Sequence, residues 1–239
     1  MTKYFKNFEK IKLKSNGKIP TGQWKETQFH HKTIDINKYN VGIPCGSING
    51  IFVLDIDIKD NGYQEFKKYI EEHGEPNTLT IQTPSGGRHY YFNLQPNNKE
   101  SNGDMNFLMK QLIYTRSKIG GVGIDIRSNG GYIVAPPSSI NTVSYEIINE
   151  TSINDMSKEL GDYLLKLDLM HKLTNMPKDW MRETKETENK EHLIIHSDHF
   201  TSNYKYEIDD DTIIKLLGML GNDYLNNFEL WFKFYWICI

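Results

Sequence analysis

Ile51-Phe-Val-Leu-Asp-Ile-Asp-Ile58 is the stretch on which the fold of this chain turns. It is rich in β-branched and aromatic residues, has the length of a buried strand, and is stopped by Asn61-Gly62, a turn signal. Side chains alternate faces along a strand, so Asp55 and Asp57 project together while Leu54, Ile56 and Ile58 face the other way. Two anions side by side in a partly buried place repel each other. They either take up protons or are held by a cation, which can be a divalent metal or a neighbouring Arg or Lys.

Reading outward, Tyr63 to His73 has helical apolar spacing at Phe66, Tyr69 and Ile70, with Gly74 and Pro76 as the stop. Leu79 to Thr83 reads as a strand, Pro84-Ser-Gly-Gly87 as a tight turn and His89 to Leu94 as the returning strand. A polar stretch from Gln95 to Gly103 precedes a short helix and loop between Asn106 and Lys118. Gly120-Gly121 opens a further strand, Val122 to Arg127, which turns at Ser128-Asn-Gly-Gly131 into Tyr132 to Ala135 and is halted by Pro136-Pro137. A strand over Val143 to Ile148 and a helix over Ser157 to Leu169 follow. On the N-terminal side, Phe8 to Lys14 mixes apolar and basic residues without a clean period. Asn16-Gly17 and Pro20-Thr-Gly22 then break the chain, giving a loop that delivers Lys18 and Trp24, and Val41 to Gly46 is a Gly-rich approach to the first strand. Strands and helices both occur, so the fold class expected is α+β (α/β mixed).

The chain has 239 residues, with 11 Phe, 14 Tyr and 4 Trp, which is enough apolar material for a core and excludes a wholly disordered protein. Its two cysteines, Cys45 and Cys238, form no CxxC pair, so neither a disulfide framework nor a structural zinc site is expected. No signal-peptide h-region and no run of about 18 apolar residues occurs, so the expectation is an intracellular protein, neither secreted nor in a membrane. The net charge of -3 divides unevenly: +6 over residues 1 to 40, -2 over 41 to 149, -7 over 150 to 211 and zero thereafter. The basic segment points to an anionic partner. Residues 171 to 207 are polar and acid-rich and read as a flexible linker, and 208 to 239 as a helical segment opening on an Asp cap, so residues 1 to 170 form the main domain. The apolar, uncapped ending at Trp231 to Ile239 suggests a chain cut from a longer one.

The third acid extends the chemistry. In Val122-Gly-Ile-Asp-Ile-Arg127, Asp125 and Arg127 share the face opposite Ile124 and Ile126. Three such carboxylates suit a two-metal site for phosphoryl transfer. Between the acids lies Thr83-Pro-Ser-Gly-Gly-Arg-His89, where glycines let backbone N-H groups approach an anion, and Ser85, Arg88 and His89 add donors suited to a triphosphate.

The ordered set Leu54-Asp-Ile-Asp57, Thr83 to Phe92 and Gly123-Ile-Asp-Ile-Arg-Ser-Asn-Gly-Gly-Tyr-Ile-Val-Ala-Pro-Pro-Ser138 resembles the bifunctional primase/polymerase (prim-pol) domain of the archaeo-eukaryotic primase superfamily. Lys18 to Trp24 and Val41 to Gly46 are similar to that family's N-terminal signatures, so the likeness spans residues 8 to 165. It implies an RRM-like mixed β-sheet with the active site in a cleft. It also implies template-dependent DNA primase or polymerase activity, with single-stranded DNA template, primer and nucleoside triphosphates as partners, in replication of a viral or plasmid genome. By the same resemblance Asp55, Asp57 and Asp125 hold Mg²⁺ or Mn²⁺, and Ser85, Gly87, Arg88 and His89 bind the nucleotide. Apart from the resemblance, Lys18 and Trp24, by charge and stacking, and Arg127 are expected to meet the template, with a buried structural role as the alternative for Trp24. Asp57 stands where several relatives have Glu. Residues 95 to 120 hold no Cys or His, so the zinc-binding insertion of some relatives is not expected. Residues 209 to 239 resemble the opening of the helical module that links such domains to a helicase.

Three other classes compete. A non-catalytic replication initiator would keep the fold to grip DNA. A rolling-circle nickase needs a hydrophobic residue between two histidines, which His30-His31 lacks. A glycosyltransferase of the DxD type would explain Asp55 and Asp57 but leaves the Gly-Arg-His turn and Asp125 without a role.

Overall fold

The computed structural model describes residues 3–95 and 114–175. One compact unit covers Met1–Leu167; of a second, Asp168–Ile239, only 168–175 are described. The helix expected after Asn106 lies outside the described residues up to position 113, as do the linker beyond 175 and the helical segment 208–239.

In chain order the strands are β1 (Ile11–Lys14), β2 (Tyr39–Pro44), β3 (Ile51–Ile56), β4 (Thr80–Gln82), β5 (Arg88–Asn93), β6 (Ile124–Arg127), β7 (Tyr132–Ala135), β8 (Ser139–Ile140), β9 (Val143–Ser144) and β10 (Glu146–Asn149). The helices are α1 (Gly62–His73) and α2 (Lys158–Thr174). A five-stranded sheet runs β10-β4-β5-β3-β6, a three-stranded sheet β1-β2-β7, and β8 and β9 pair alone. The architecture is α+β, as expected. Every ladder between these strands is antiparallel. Among the described residues the parallel component expected of a mixed sheet is confined to isolated bridges, Phe92 with Asn154 and Tyr114 with Asn129.

Alternation along the central strands divides the core. Phe52, Leu54, Ile56, Tyr90, Phe92, Ile124 and Ile126 pack with Phe66 and Tyr69 of α1 and Leu160 and Leu164 of α2. On the other face Val53, Tyr91 and Ile81 pack with Ile11, Leu13, Val41, Ile43 and Val134 of the three-stranded sheet. Burying each such side chain contributes about 1.5–3 kcal/mol, so the five-stranded sheet is fixed from both sides.

Several elements differ from the sequence expectations. The N-terminal stretch read as aperiodic contains β1, whose Ile11 and Leu13 point inward while Lys12 and Lys14 lie outside. The Gly-rich approach is strand β2, and Gly42 is there because a Cβ would meet Ile11 Cγ1 at 2.6 Å. The first strand stops at Ile56: the Asp57 amide turns to the Gly123 carbonyl at 2.8 Å, and Ile58, expected inside, is 50% exposed. The turn after β6 carries the chain from the five-stranded sheet to the three-stranded one. The strand expected over Val143 to Ile148 is two, broken at the buried Tyr145, and the helix expected to end at Leu169 reaches Thr174. No helix among the described residues is long and apolar enough to cross a membrane.

Candidate active site

Asp55 in β3 stands directly opposite His89 in β5 on one side and Asp125 in β6 on the other. Three polar side chains therefore form one cross-strand row, on the face turned away from α1 and α2 and otherwise filled by Val53 and Tyr91. His89 Nε2 lies 3.4 Å from Asp55 Oδ1. Arg127, two residues on from Asp125, places Nε 3.5 Å from Asp55 Oδ2 and Nη2 2.5 Å from Asp125 Oδ2. The backbone N-H of Lys118 donates to Asp125 Oδ1 at 2.8 Å. Each oxygen of these two carboxylates thus has a donor or cation beside it.

The two members of the DxD pair sit in opposite electrostatic conditions. Burial by itself would raise the Asp55 pKa, but His89, Arg127 and Lys18 outweigh it and hold the carboxyl below its usual range. Asp57 is pushed up, first by burial and then by the charges of Asp55 and Asp125, which Lys18 and His89 only partly offset. Among the described residues no hydrogen bond or ion pair reaches the Asp57 carboxylate. Its backbone is fixed, with the amide bonded to Gly123 O at 2.8 Å and the carbonyl accepting from Tyr63 N at 2.9 Å.

The turn between β4 and β5 packs against this segment. A Cβ on Gly87 would meet the Ile56 carbonyl at 2.4 Å, so the position before Arg88 has to be small. Thr83 N bonds Gly87 O at 3.0 Å, closing the turn, and Ser85 is exposed at its tip, its hydroxyl 3.0 Å from that of Thr83. His89 is buried, with Nδ1 lacking a partner and its ring 5.6 Å from that of Tyr145. Arg88 goes elsewhere. One residue away on the strand, it is on the helix side, donating to Gln82 Oε1 at 3.0 Å with its guanidinium 5.9 Å from the Tyr63 ring.

The remaining residues singled out from sequence separate in the same way. Lys18 is exposed, its charge acts on Asp55 and Asp57, and its carbonyl accepts from Tyr132 OH at 2.9 Å. Trp24 is half-buried, edge-on to Tyr132 at 4.8 Å, and lines a cavity of about 320 Å³ with Lys12, Phe29 and His31, a lining that includes none of the three row residues. Arg127 belongs to the row itself. Three contributions were not foreseen: the Lys118 amide, the ring of Tyr145, and Ser138, whose hydroxyl accepts from Val41 N at 2.7 Å and ties the end of the long third motif to β2. Gly46 and Asn129 also meet, the glycine at φ 85° and Asn129 Oδ1 accepting from Ser47 N at 2.8 Å. These last two contacts join the N-terminal signature to the third motif.

As the side chains stand, no group of three or more His, Cys, Asp or Glu among the described residues converges as a set of metal ligands. The chemistry of the donors nevertheless fits Mg²⁺ or Mn²⁺. They are carboxylate oxygens, Asp57 has no ion pair among the described residues while burial and the charges of Asp55 and Asp125 raise its pKa, and the position between Asp55 and Asp125 already holds the positive charge of Arg127.

The family model for the bifunctional DNA primase/polymerase, N-terminal, matches residues 2–177. No curated protein matches the chain.

Proposed function

This chain belongs to the bifunctional DNA primase/polymerase family, and on that premise we propose that the row of His89, Asp55 and Asp125, with Asp57 beside it, is a centre for template-dependent nucleotidyl transfer. The hydroxyl of a primer or an initiating nucleotide attacks the α-phosphorus of an incoming nucleotide. One P-O bond forms, the bond to pyrophosphate breaks, and the hydroxyl proton is lost to solvent. Asp55, Asp57 and Asp125 would hold the divalent ions, which lower the proton affinity of the attacking hydroxyl and neutralise charge on the phosphates.

The chain's own residues supply position and charge. His89 is held against Asp55 through Nε2, which leaves the unpartnered Nδ1, in the doubly protonated ring, as the N-H donor for a phosphate oxygen. Gly87 keeps the turn pressed on β3, and the exposed Lys18 adds positive charge toward the acids. The template strand is proposed to run past the basic segment before residue 40, held by charge. A genome of viral or plasmid type is the proposed setting.

The observation that carries the reading is the register that puts Asp125 opposite Asp55 and Asp55 opposite His89. Its test is incorporation of labelled nucleotide on a primed single-stranded template with Mg²⁺ or Mn²⁺, measured with pyrophosphate release. The wild-type chain is expected to release one pyrophosphate per nucleotide added, and Asp55→Ala with Asp57→Ala to do neither while keeping its circular-dichroism spectrum. DNA binding without any incorporation by the wild type would instead favour a non-catalytic initiator.

A further inference from the structure

Arg127, expected from the sequence to meet the template, is tied instead to two acids of the row, and these contacts define a different role. Its guanidinium reaches two carboxylates on neighbouring strands, Asp55 through Nε at 3.5 Å and Asp125 through Nη2 at 2.5 Å. The pleat accounts for this: Arg127 lies opposite Val53, one same-face position along from the Asp55–Asp125 pair, so the side chain leans back along the strand over both acids. It is partly covered, with a side-chain exposure of 29%, while the acids are at 12% and 15%. Without a cation two carboxylates would face each other directly across β3 and β6, an arrangement that destabilises a sheet.

We propose that Arg127 is an internal counter-ion that occupies, by charge, the place a divalent ion takes between Asp55 and Asp125, so that metal loading displaces it and turns it toward the triphosphate that arrives with the metal. The inference rests on the reading of the row as a nucleotidyl-transfer centre. Two consequences follow from charge alone. While Arg127 is paired, it lowers the affinity of both carboxylates for a metal ion. Once freed, it is a forked donor with no remaining carboxylate partner in the row, matched in shape to a phosphate. Metal and nucleotide therefore favour each other's binding through this side chain, and the coupling is reciprocal. Asp57 is outside the exchange: its carboxylate is unpaired among the described residues and needs no displacement.

The test is direct binding of Mn²⁺, read from the free-ion electron paramagnetic resonance signal, by the whole chain as wild type, Arg127→Gln and Arg127→Lys, with and without a non-hydrolysable nucleoside triphosphate. Without nucleotide, Arg127→Gln is expected to bind Mn²⁺ roughly tenfold more tightly than wild type, the scale on which an adjacent cation shifts a carboxylate's affinity for a proton. Arg127→Lys, a point charge unable to bridge two acids, falls between them. Nucleotide strengthens Mn²⁺ binding in the wild type more than in Arg127→Gln. Equal or weaker Mn²⁺ binding by Arg127→Gln, with its melting temperature showing a folded chain, would overturn the proposal. Asp55→Asn separates the two readings. If it weakens Mn²⁺ binding while Arg127→Gln changes nothing, only the counter-ion role fails. If neither substitution changes Mn²⁺ binding, the reading of the row fails with it.

Discussion

Gly87 stands so close to Ile56 that a Cβ on the glycine would lie 2.4 Å from the isoleucine's carbonyl oxygen. The β4–β5 turn is thereby pressed onto the end of β3, beside Asp57 and two residues before His89. Gly87→Ala has to push the turn away. The expected cost is about 1–3 kcal/mol of stability, as for an overpacked interior, together with a loss of incorporation larger than the change in melting temperature accounts for. Thermal melting and primer extension on the same preparation check both.

Asp55 and Asp57 are two residues apart and are expected to respond oppositely to neutralisation. Asp55 is nearly buried against His89 and Arg127, and Asp55→Asn gives up charge-assisted contacts, so stability falls by about 2 kcal/mol at neutral pH. Its folded pKa is depressed, so that stabilisation is present above the unfolded value and is lost as pH falls through the folded one. Asp57 carries the reverse sign. Its folded pKa is raised, so the ionised group costs stability at neutral pH, and the cost disappears as pH falls through the folded and then the unfolded value. Asp57→Asn should raise the melting temperature of the metal-free chain at pH 7 and leave it little changed in acid, while abolishing incorporation. Melting curves across pH 3 to 8 decide it.

How much of this was legible in the sequence follows from which signals are local. The strand Ile51–Ile56, the turn at Pro84 to Gly87 and the third acid could be read because alternation and turn residues lie within a few positions of each other. β1 could not: Ile11-Lys-Leu-Lys14 does alternate, but four residues between Lys10 and the Ser15-Asn-Gly17 break carry too short a pattern. β2 was hidden by Gly42, which looks like a breaker and is in fact the gap that receives Ile11. Pairing is non-local, so nothing in the sequence placed Arg127 across Asp55 and Asp125 or Tyr145 beside His89. Arg88 is a different case. Alternation alone puts it on the other face from His89, and the resemblance to a nucleotide-binding motif obscured that.

The placement of Arg88 is therefore testable. With its guanidinium on Gln82 and over Tyr63, it is on the helix side of β5. Arg88→Ala is expected to change nucleotide affinity far less than His89→Ala, and to act mainly on stability. A nucleotide titration of both variants, followed by fluorescence of a labelled triphosphate, gives the comparison. Equal losses would mean that Arg88 turns into the site when nucleotide is bound.

Lys10 offers a prediction away from the chemistry. It is fully buried and donates to Phe8 O at 2.7 Å and Lys32 O at 2.8 Å, tying the N-terminal segment to the loop after Trp24. Lys10→Met keeps the volume but takes the donor away from three carbonyls, those of Lys6, Phe8 and Lys32, at a cost of about 1–3 kcal/mol for each left unpaired. A lowered melting temperature with the nucleotide-binding residues intact is expected, and chemical denaturation measures it.

The most direct test of the central claim concerns Asp125, the acid that only the sheet register joins to the other two. Incorporation by Asp125→Asn on a primed single-stranded template, at saturating Mg²⁺ or Mn²⁺ and with folding verified by thermal melting, should fall by roughly 100-fold or more, the scale for losing one charge-stabilising group of an active site. A folded Asp125→Asn variant that extends the primer at the wild-type rate would contradict the assignment of the row as the catalytic centre.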